Sequence, residues 1–238
     1  MLLKSIRISA ILLLIFLIGC NQQKQQNSKS ATENNTENPN EKQADSIPEE
    51  KEEEPFRLTE DNAIPFFFEY EKEHKEDRVR VTTNQGSFVI KLFENTPYHR
   101  ANFIYLAEKD YFSGTYFHRV VKDFIIQGGN SDNRATGKKR KEIGRYLLPP
   151  DTRKGHKHHR GTVSMPSSEI NNPHLLASPF EFFIVVTRPG SYHLDGKYTA
   201  FGRVVEGMDI VDKINSVATG SDEWPLQNVV IEKVEIVK

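Results

Sequence analysis

Residues 116–129 of this 238-residue chain run Tyr116-Phe117-His118-Arg119-Val120-Val121-Lys122-Asp123-Phe124-Ile125-Ile126-Gln127-Gly128-Gly129. The segment 116–127 is strand-like, rich in β-branched and aromatic residues. Upstream, Arg78-Val79-Arg80-Val81-Thr82-Thr83 alternates, Asn84-Gln85-Gly86 supplies turn chemistry, and Phe88, Ile90 and Leu92 alternate again. That is a β-hairpin signal. Thr96-Pro97 then opens a predicted helix from Tyr98 to Lys109, with Pro near its first turn. Downstream, further strand-like runs fall at 161–165, 180–187, 199–205 and 228–237. Met208, Val211 and Ile214 sit at i, i+3 and i+6, so 204–217 reads as an amphipathic helix. Two helices among many short strands argue against a parallel βαβ sheet. They favour a mainly β fold, a closed or sandwiched antiparallel sheet with helical plugs.

The ends and the composition add organisation. There are 32 Lys and Arg against 33 Asp and Glu, a net charge of -1, which gives no global pull toward nucleic acid or an anionic membrane. A single cysteine rules out a disulfide framework and any multi-thiolate metal site. The apolar share of 37% is low for a packed domain, so part of the chain is expected to stay unpacked. Lys4 and Arg7 precede an apolar run from Ala10 to Ile18, too short to span a bilayer. The run ends at Leu17-Ile18-Gly19-Cys20, which resembles a bacterial lipobox. The resemblance implies a signal peptide over 1–19 and a diacylglyceryl group plus an N-acyl chain on Cys20, enough for stable attachment. An exported, membrane-anchored protein is expected. Residues 21–60 carry ten acidic against five basic groups and almost no large apolar residues. With Cys20 they form a predicted disordered tether, 20–60. A helical extension, 61–77, and a main domain, 78–238, complete the division.

The quoted stretch resembles the signature of a cyclophilin, a peptidyl-prolyl cis–trans isomerase. The resemblance continues in order through Arg160-Gly161-Thr162-Val163-Ser164-Met165, Glu181-Phe182-Phe183-Ile184, Leu194-Asp195-Gly196-Lys197 and Ala200-Phe201-Gly202-Arg203-Val204. It implies a closed antiparallel β-barrel of about eight strands capped by two helices, in agreement with the periodicity. It also implies proline-containing polypeptide clients; no cofactor and no metal are expected, nucleic acid is not expected as a partner of an exported lipoprotein, and a monomer is expected.

Prolyl bonds rotate slowly because amide resonance gives a barrier of ~18–20 kcal/mol. No covalent bond has to break, so an apolar pocket for the ring and a donor that favours a twisted amide suffice. Lowering the barrier by ~7 kcal/mol gives about 10⁵-fold acceleration. By resemblance, Arg119 is the catalytic arginine, Phe124, Ile125, Phe183 and Leu194 line the proline pocket, and Gln127 contacts the substrate backbone.

Five positions depart from the family pattern. Glu181 stands where the family usually has Gln; a carboxylate there can either grip Arg119 or dampen its field. On that reading Glu181→Gln raises turnover. His193 replaces a tryptophan linked to cyclosporin binding, which implies weak cyclosporin affinity, and Tyr198 replaces a pocket histidine. Pro166 and Ser167 stand where Ala-Asn is common, followed by about five extra residues before Glu181. Residues 134–160 hold ten Lys or Arg against Glu142 and Asp151, net +8. They read as a solvated, mobile insertion, or as an anion-binding loop for lipid headgroups, phosphate or acidic clients. His156, His158 and His159 read as exposed rather than as a zinc site. Two other readings stand beside the isomerase: a catalytically weak prolyl-peptide-binding chaperone or adhesin on the same fold, and an unrelated lipid-anchored barrel for a small ligand.

Overall fold

The computed structural model describes residues 55–167 and 171–237. The signal peptide, Cys20 and nearly all of the tether lie outside the described residues, as does the 168–170 part of the lengthened loop. Ordered chain begins before Asp61. The Leu58 side chain is buried, its N–H donates to the Ile143 carbonyl (2.8 Å), and its carbonyl accepts from the Arg145 N–H (2.9 Å).

The elements follow as α1 (Ala63–Glu73), β1 (Arg78–Thr83), β2 (Gly86–Leu92), α2 (Pro97–Glu108), β3 (Thr115–Tyr116), β4 (Arg119–Val121), β5 (Ile125–Gly128), α3 (Arg134–Ile143), β6 (Thr162–Ser164), β7 (Phe182–Val185), β8 (Ala200–Glu206), α4 (Met208–Asn215) and β9 (Val230–Ile236). A single 3-10 turn, Tyr192–Leu194, precedes β8. The hairpin of β1 and β2 pairs in the register its alternation demands, from Arg78 opposite Lys91 to Thr83 opposite Gly86.

Among the described residues the strands form one nine-stranded antiparallel sheet, ordered β3-β9-β1-β2-β8-β6-β7-β5-β4. The expected closed eight-stranded barrel is therefore corrected to a curled sheet whose ladder does not close. The two edge strands, β3 and β4, are nearly consecutive in sequence, so Phe117 and His118 alone carry the chain from one end of the order to the other. Two and three residues long, these edges cannot build a ladder between them. Tyr116 instead bridges Asn130, and the Phe117 N–H donates to Val229 O at 2.9 Å.

Inward-facing side chains of alternate strand positions, including Val79, Val81, Phe88, Ile90, Val120, Ile126, Val163, Phe182 and Ile184, form the main core with α2 and α4. Phe182 packs edge-on against Phe103 of α2 (5.4 Å) and against Phe117 (5.8 Å). The helix expected over 204–217 is shorter, because β8 continues to Glu206. Gly207 then turns left-handed (φ 74°), and a Cβ there would lie 2.6 Å from the Ser87 carbonyl oxygen. Among the described residues there are four helices: α1 lies in the expected helical extension, α2 and α4 answer to the two domain helices, and α3 is the one not expected. α1 packs on α2 through Phe67, while Tyr105 meets Phe66, Phe67 and Tyr70 edge-on. The basic segment is not wholly an irregular insertion. Asn133 caps α3 by accepting the Ala135 N–H, and the helix runs to Gly144.

Tyr146 ties this frame to the chain entering β7. Its hydroxyl donates to Asn102 Oδ1 (2.7 Å), and Asn102 Nδ2 donates to the Pro179 carbonyl (2.9 Å), all buried. Tyr146→Phe leaves an amide oxygen unsatisfied and is expected to cost about 1–2 kcal/mol of stability by urea denaturation.

Candidate active site

Residues directly opposite in an antiparallel pair share a face of the sheet. Arg119 on β4 pairs with Gln127 on β5, Gln127 with Phe183 on β7, and Phe183 with Ser164 on β6. Two residues along, Val121, Ile125 and Val185 form the next row of that face. This is the outer face, because the intervening Val120, Ile126 and Ile184 point into the main core. Ile125, Phe183, Val185 and Leu194 form a second, separate apolar cluster there, flanked by Val121, Phe124 and Tyr198. The sheet register thus brings Arg119, Gln127, Ile125 and Phe183 together, and the 3-10 turn adds Leu194. Tyr198 meets the Phe183 ring edge-on at 5.6 Å, and exposed His193 stacks on Phe124 at 5.5 Å. Pro166 and Ser167 follow β6 and are half-buried; the Ser167 hydroxyl accepts from Asn172 Nδ2 (2.7 Å).

Arg119 does not pair with Glu181. Its Nε donates to Glu223 Oε2 at 2.6 Å, while its terminal nitrogens make no hydrogen bond within the described residues. Glu223 sits in left-handed backbone (φ 64°) and its carbonyl accepts the Val120 N–H, which locks that loop to β4. Glu181, which is expected to grip or dampen the arginine, is instead a mostly buried hub for Gln127. Its Oε2 accepts from Gln127 Nε2 (2.9 Å) and faces His118 Nε2 at 3.5 Å, while Oε1 accepts from Asn130 Nδ2 (3.1 Å) and meets Arg140 at 3.5 Å. With several donors converging, the carboxylate has no capacity to spare for Arg119. Gln127 is thereby held with its amide nitrogen inward, which leaves its amide oxygen for another donor.

Burial pushes the Glu181 carboxyl upward. Hydrogen bonding and charge from His118, with Gln127 and Arg140, outweigh it and hold the group below its ordinary 4.5. A depressed carboxylate contributes stability that is present above its unfolded value and lost as pH falls through the folded one. Below about pH 4.5 the native chain is therefore expected to lose stability more steeply than Glu181→Gln, by up to one proton of slope, about 1.4 kcal/mol per pH unit. Urea denaturation at stepped pH checks this, and equal slopes would remove Glu181 from the acid response.

The histidine expectation also needs correction. His158 is fully buried under the outer face, with Nδ1 2.8 Å from Asp195 Oδ1, Nε2 2.9 Å from Ser164 Oγ, and its ring parallel to Phe183 at 6.2 Å. His156 stacks on Phe93 at 3.9 Å. Among the described residues no group of three His, Cys, Asp or Glu could hold a metal. Glu223, Asn130, Arg140 and His158 were not legible as site residues. Their partners lie 11 to 104 positions away in sequence, except for Ser164.

The site joins an apolar cluster to a guanidinium held by Glu223 and an amide held by Glu181. The family described as "Cyclophilin type peptidyl-prolyl cis-trans isomerase/CLD" matches residues 78–236. The chain belongs to this family of enzymes. It is 35% identical over 162 residues to peptidyl-prolyl cis-trans isomerase-like 1 of Neurospora crassa, covering 67% of this chain and 94% of that one. It is 33% identical to peptidyl-prolyl cis-trans isomerase-like 2 of Rhizopus delemar over 71% of this chain, and spans only 30% of that protein's length. A cyclophilin type isomerase of Cryptosporidium parvum, solved in the presence of the dipeptide Ala-Pro, superposes with a TM-score of 0.57 at 26% identity, covering 68% of this chain and 99% of that one.

Proposed function

We propose that this chain isomerises Xaa-Pro bonds of exported polypeptides, with Arg119 as the electrophilic group. The observation that carries the reading is the row Arg119–Gln127–Phe183 on the outer face, with a separate apolar cluster beside it. The prolyl ring buries against Phe183, Ile125, Leu194 and Phe124. As the amide twists, resonance is lost and its nitrogen becomes a better acceptor. Arg119, steered through Nε by Glu223, offers its terminal N–H groups to that nitrogen and so favours the transition state over either planar isomer. The free amide oxygen of Gln127 accepts from the substrate backbone. Because Glu181 does not touch the guanidinium, the specific ground for eroded catalysis is gone, and the earlier expectation that Glu181→Gln raises turnover is dropped.

Accelerated cis–trans exchange of a neutral Xaa-Pro peptide by the full-length chain is the test. An unaccelerated rate with the peptide still bound would favour the prolyl-peptide-binding alternative. Export and anchoring rest on the sequence around Cys20. Cys20→Ser is expected to move the protein from the membrane to the soluble fraction and abolish incorporation of labelled fatty acid. Retention in the membrane would sink the anchor.

A further inference from the structure

A cavity of about 570 Å³ lies beside the row Arg119–Gln127–Phe183, not over it. Arg57, Arg140, Lys141 and Arg145 line it against a single acid, Glu60, with Tyr146, Pro179 and Phe180 supplying apolar wall. One basic residue comes from the chain before α1, two from α3 and one from the loop after it, so the fold gathers them from three segments. Arg140 is occupied: it donates to the Tyr111 hydroxyl (2.8 Å) and the Gly129 carbonyl (3.3 Å), meets Glu181 at 3.5 Å, and lies over the Phe180 ring at 5.4 Å. Arg57, Lys141 and Arg145 are exposed and have no carboxylate partner among the described residues. By contrast, their neighbours Lys138 and Lys139 are paired with Glu142 and Asp110. Three unpaired cations around one concavity attract an anion.

Position says which anion. Ser178, Pro179 and Phe180 of the cavity wall immediately precede Glu181, and Arg140 joins the cavity to Glu181, which holds Gln127. Phe180 of the cavity wall is three residues from Phe183 of the outer-face cluster, a span of at most ~10–11 Å, which an extended polypeptide covers in about three residues. We infer that the cavity is a subsite for acidic side chains of the client, so that the chain favours prolines flanked within a few positions by Asp or Glu. The inference rests on the isomerase reading and names the substrate class of that same site.

The experiment compares kcat/KM of the full-length chain on Xaa-Pro peptides carrying a Glu pair on either side of the proline with that on neutral Gln analogues, at low and high salt. Expected is a roughly three- to tenfold preference for one acidic series at low salt, shrinking as salt screens it. The preference should vanish in Arg57→Gln/Lys141→Gln/Arg145→Gln, with neutral-peptide turnover unchanged as the control for folding. If the triple variant fails that control, Lys141→Glu alone is used and should reduce the preference. Equal kcat/KM for acidic and neutral peptides, or a preference that survives loss of the three cations, overturns the subsite. If no peptide is turned over, the isomerase reading fails instead. Fluorescence anisotropy of the labelled acidic and neutral peptides then still reads the cavity, equal affinities overturning it.

Discussion

Arg119→Ala is expected to lower kcat/KM for a neutral Xaa-Pro peptide by about 10²–10³-fold, the range seen when a single transition-state donor is removed. Stability should barely change. The side chains of Arg119 and Glu223 are 40% and 41% exposed, so their pair is screened and contributes little to folding. Arg119→Lys should recover little, because a point charge without the planar fork cannot bond Glu223 through one nitrogen while presenting others to the twisted amide. Glu223→Ala should cost less, about three- to tenfold, through loss of orientation. In the Arg119→Ala background it should cost nothing further, because the guanidinium it steers is absent. A double-mutant cycle on kcat/KM checks both statements. Additive losses would show that Glu223 acts independently of Arg119, and an Arg119→Ala enzyme within threefold of the native rate would remove the arginine from the mechanism.

What was legible in the sequence is what local pattern encodes. Period-two alternation placed β1 and β2, strand-like runs placed the later strands although the single run 116–127 divides among β3, β4 and β5, and Pro97 placed the start of α2. The outer-face residues followed from motifs that are contiguous in sequence, because the sheet register then stacks Arg119, Gln127 and Phe183. Closure was not legible: whether β3 and β4 meet depends on their length and on what Tyr116 and Phe117 find opposite them. Side-chain partners were the least legible. Glu181 is next to the pocket in any family-based reading, yet its oxygens are taken up by Gln127, Asn130, Arg140 and His118, and Arg119 turns to a glutamate 104 residues away. His158 was misread because a run of basic residues looks solvated. Its neighbour His159 is exposed, but Asp195 and Ser164 draw His158 beneath Phe183.

Phe182 and Phe183 are adjacent, and the strand period sends them to opposite faces. Phe182 enters the main core against Phe103, Phe112 and Phe117. Phe183 enters the outer cluster, between His158 and Tyr198. Both are almost fully buried, so either change to Ala is expected to cost about 3–5 kcal/mol of stability, a large part of the ~5–15 kcal/mol typical of a domain. Their effects on catalysis should separate. In Phe182→Ala the molecules that remain folded keep the outer face and should retain kcat/KM within about threefold. Phe183→Ala removes the ring proposed as the floor of the prolyl pocket. Losing ~2–3 kcal/mol of contact there should lower kcat/KM by roughly 30–150-fold, and by more than it alters the folded fraction. Phe183→Leu is the safer form of the test: a smaller apolar replacement should cost roughly 1.5 kcal/mol or less of stability yet still reduce kcat/KM, because the flat ring face is gone. Activity normalised to the folded fraction, read by near-ultraviolet circular dichroism, distinguishes the two positions. Equal losses per folded molecule at Phe182 and Phe183 would mean that the two faces of β7 are not divided between core and substrate.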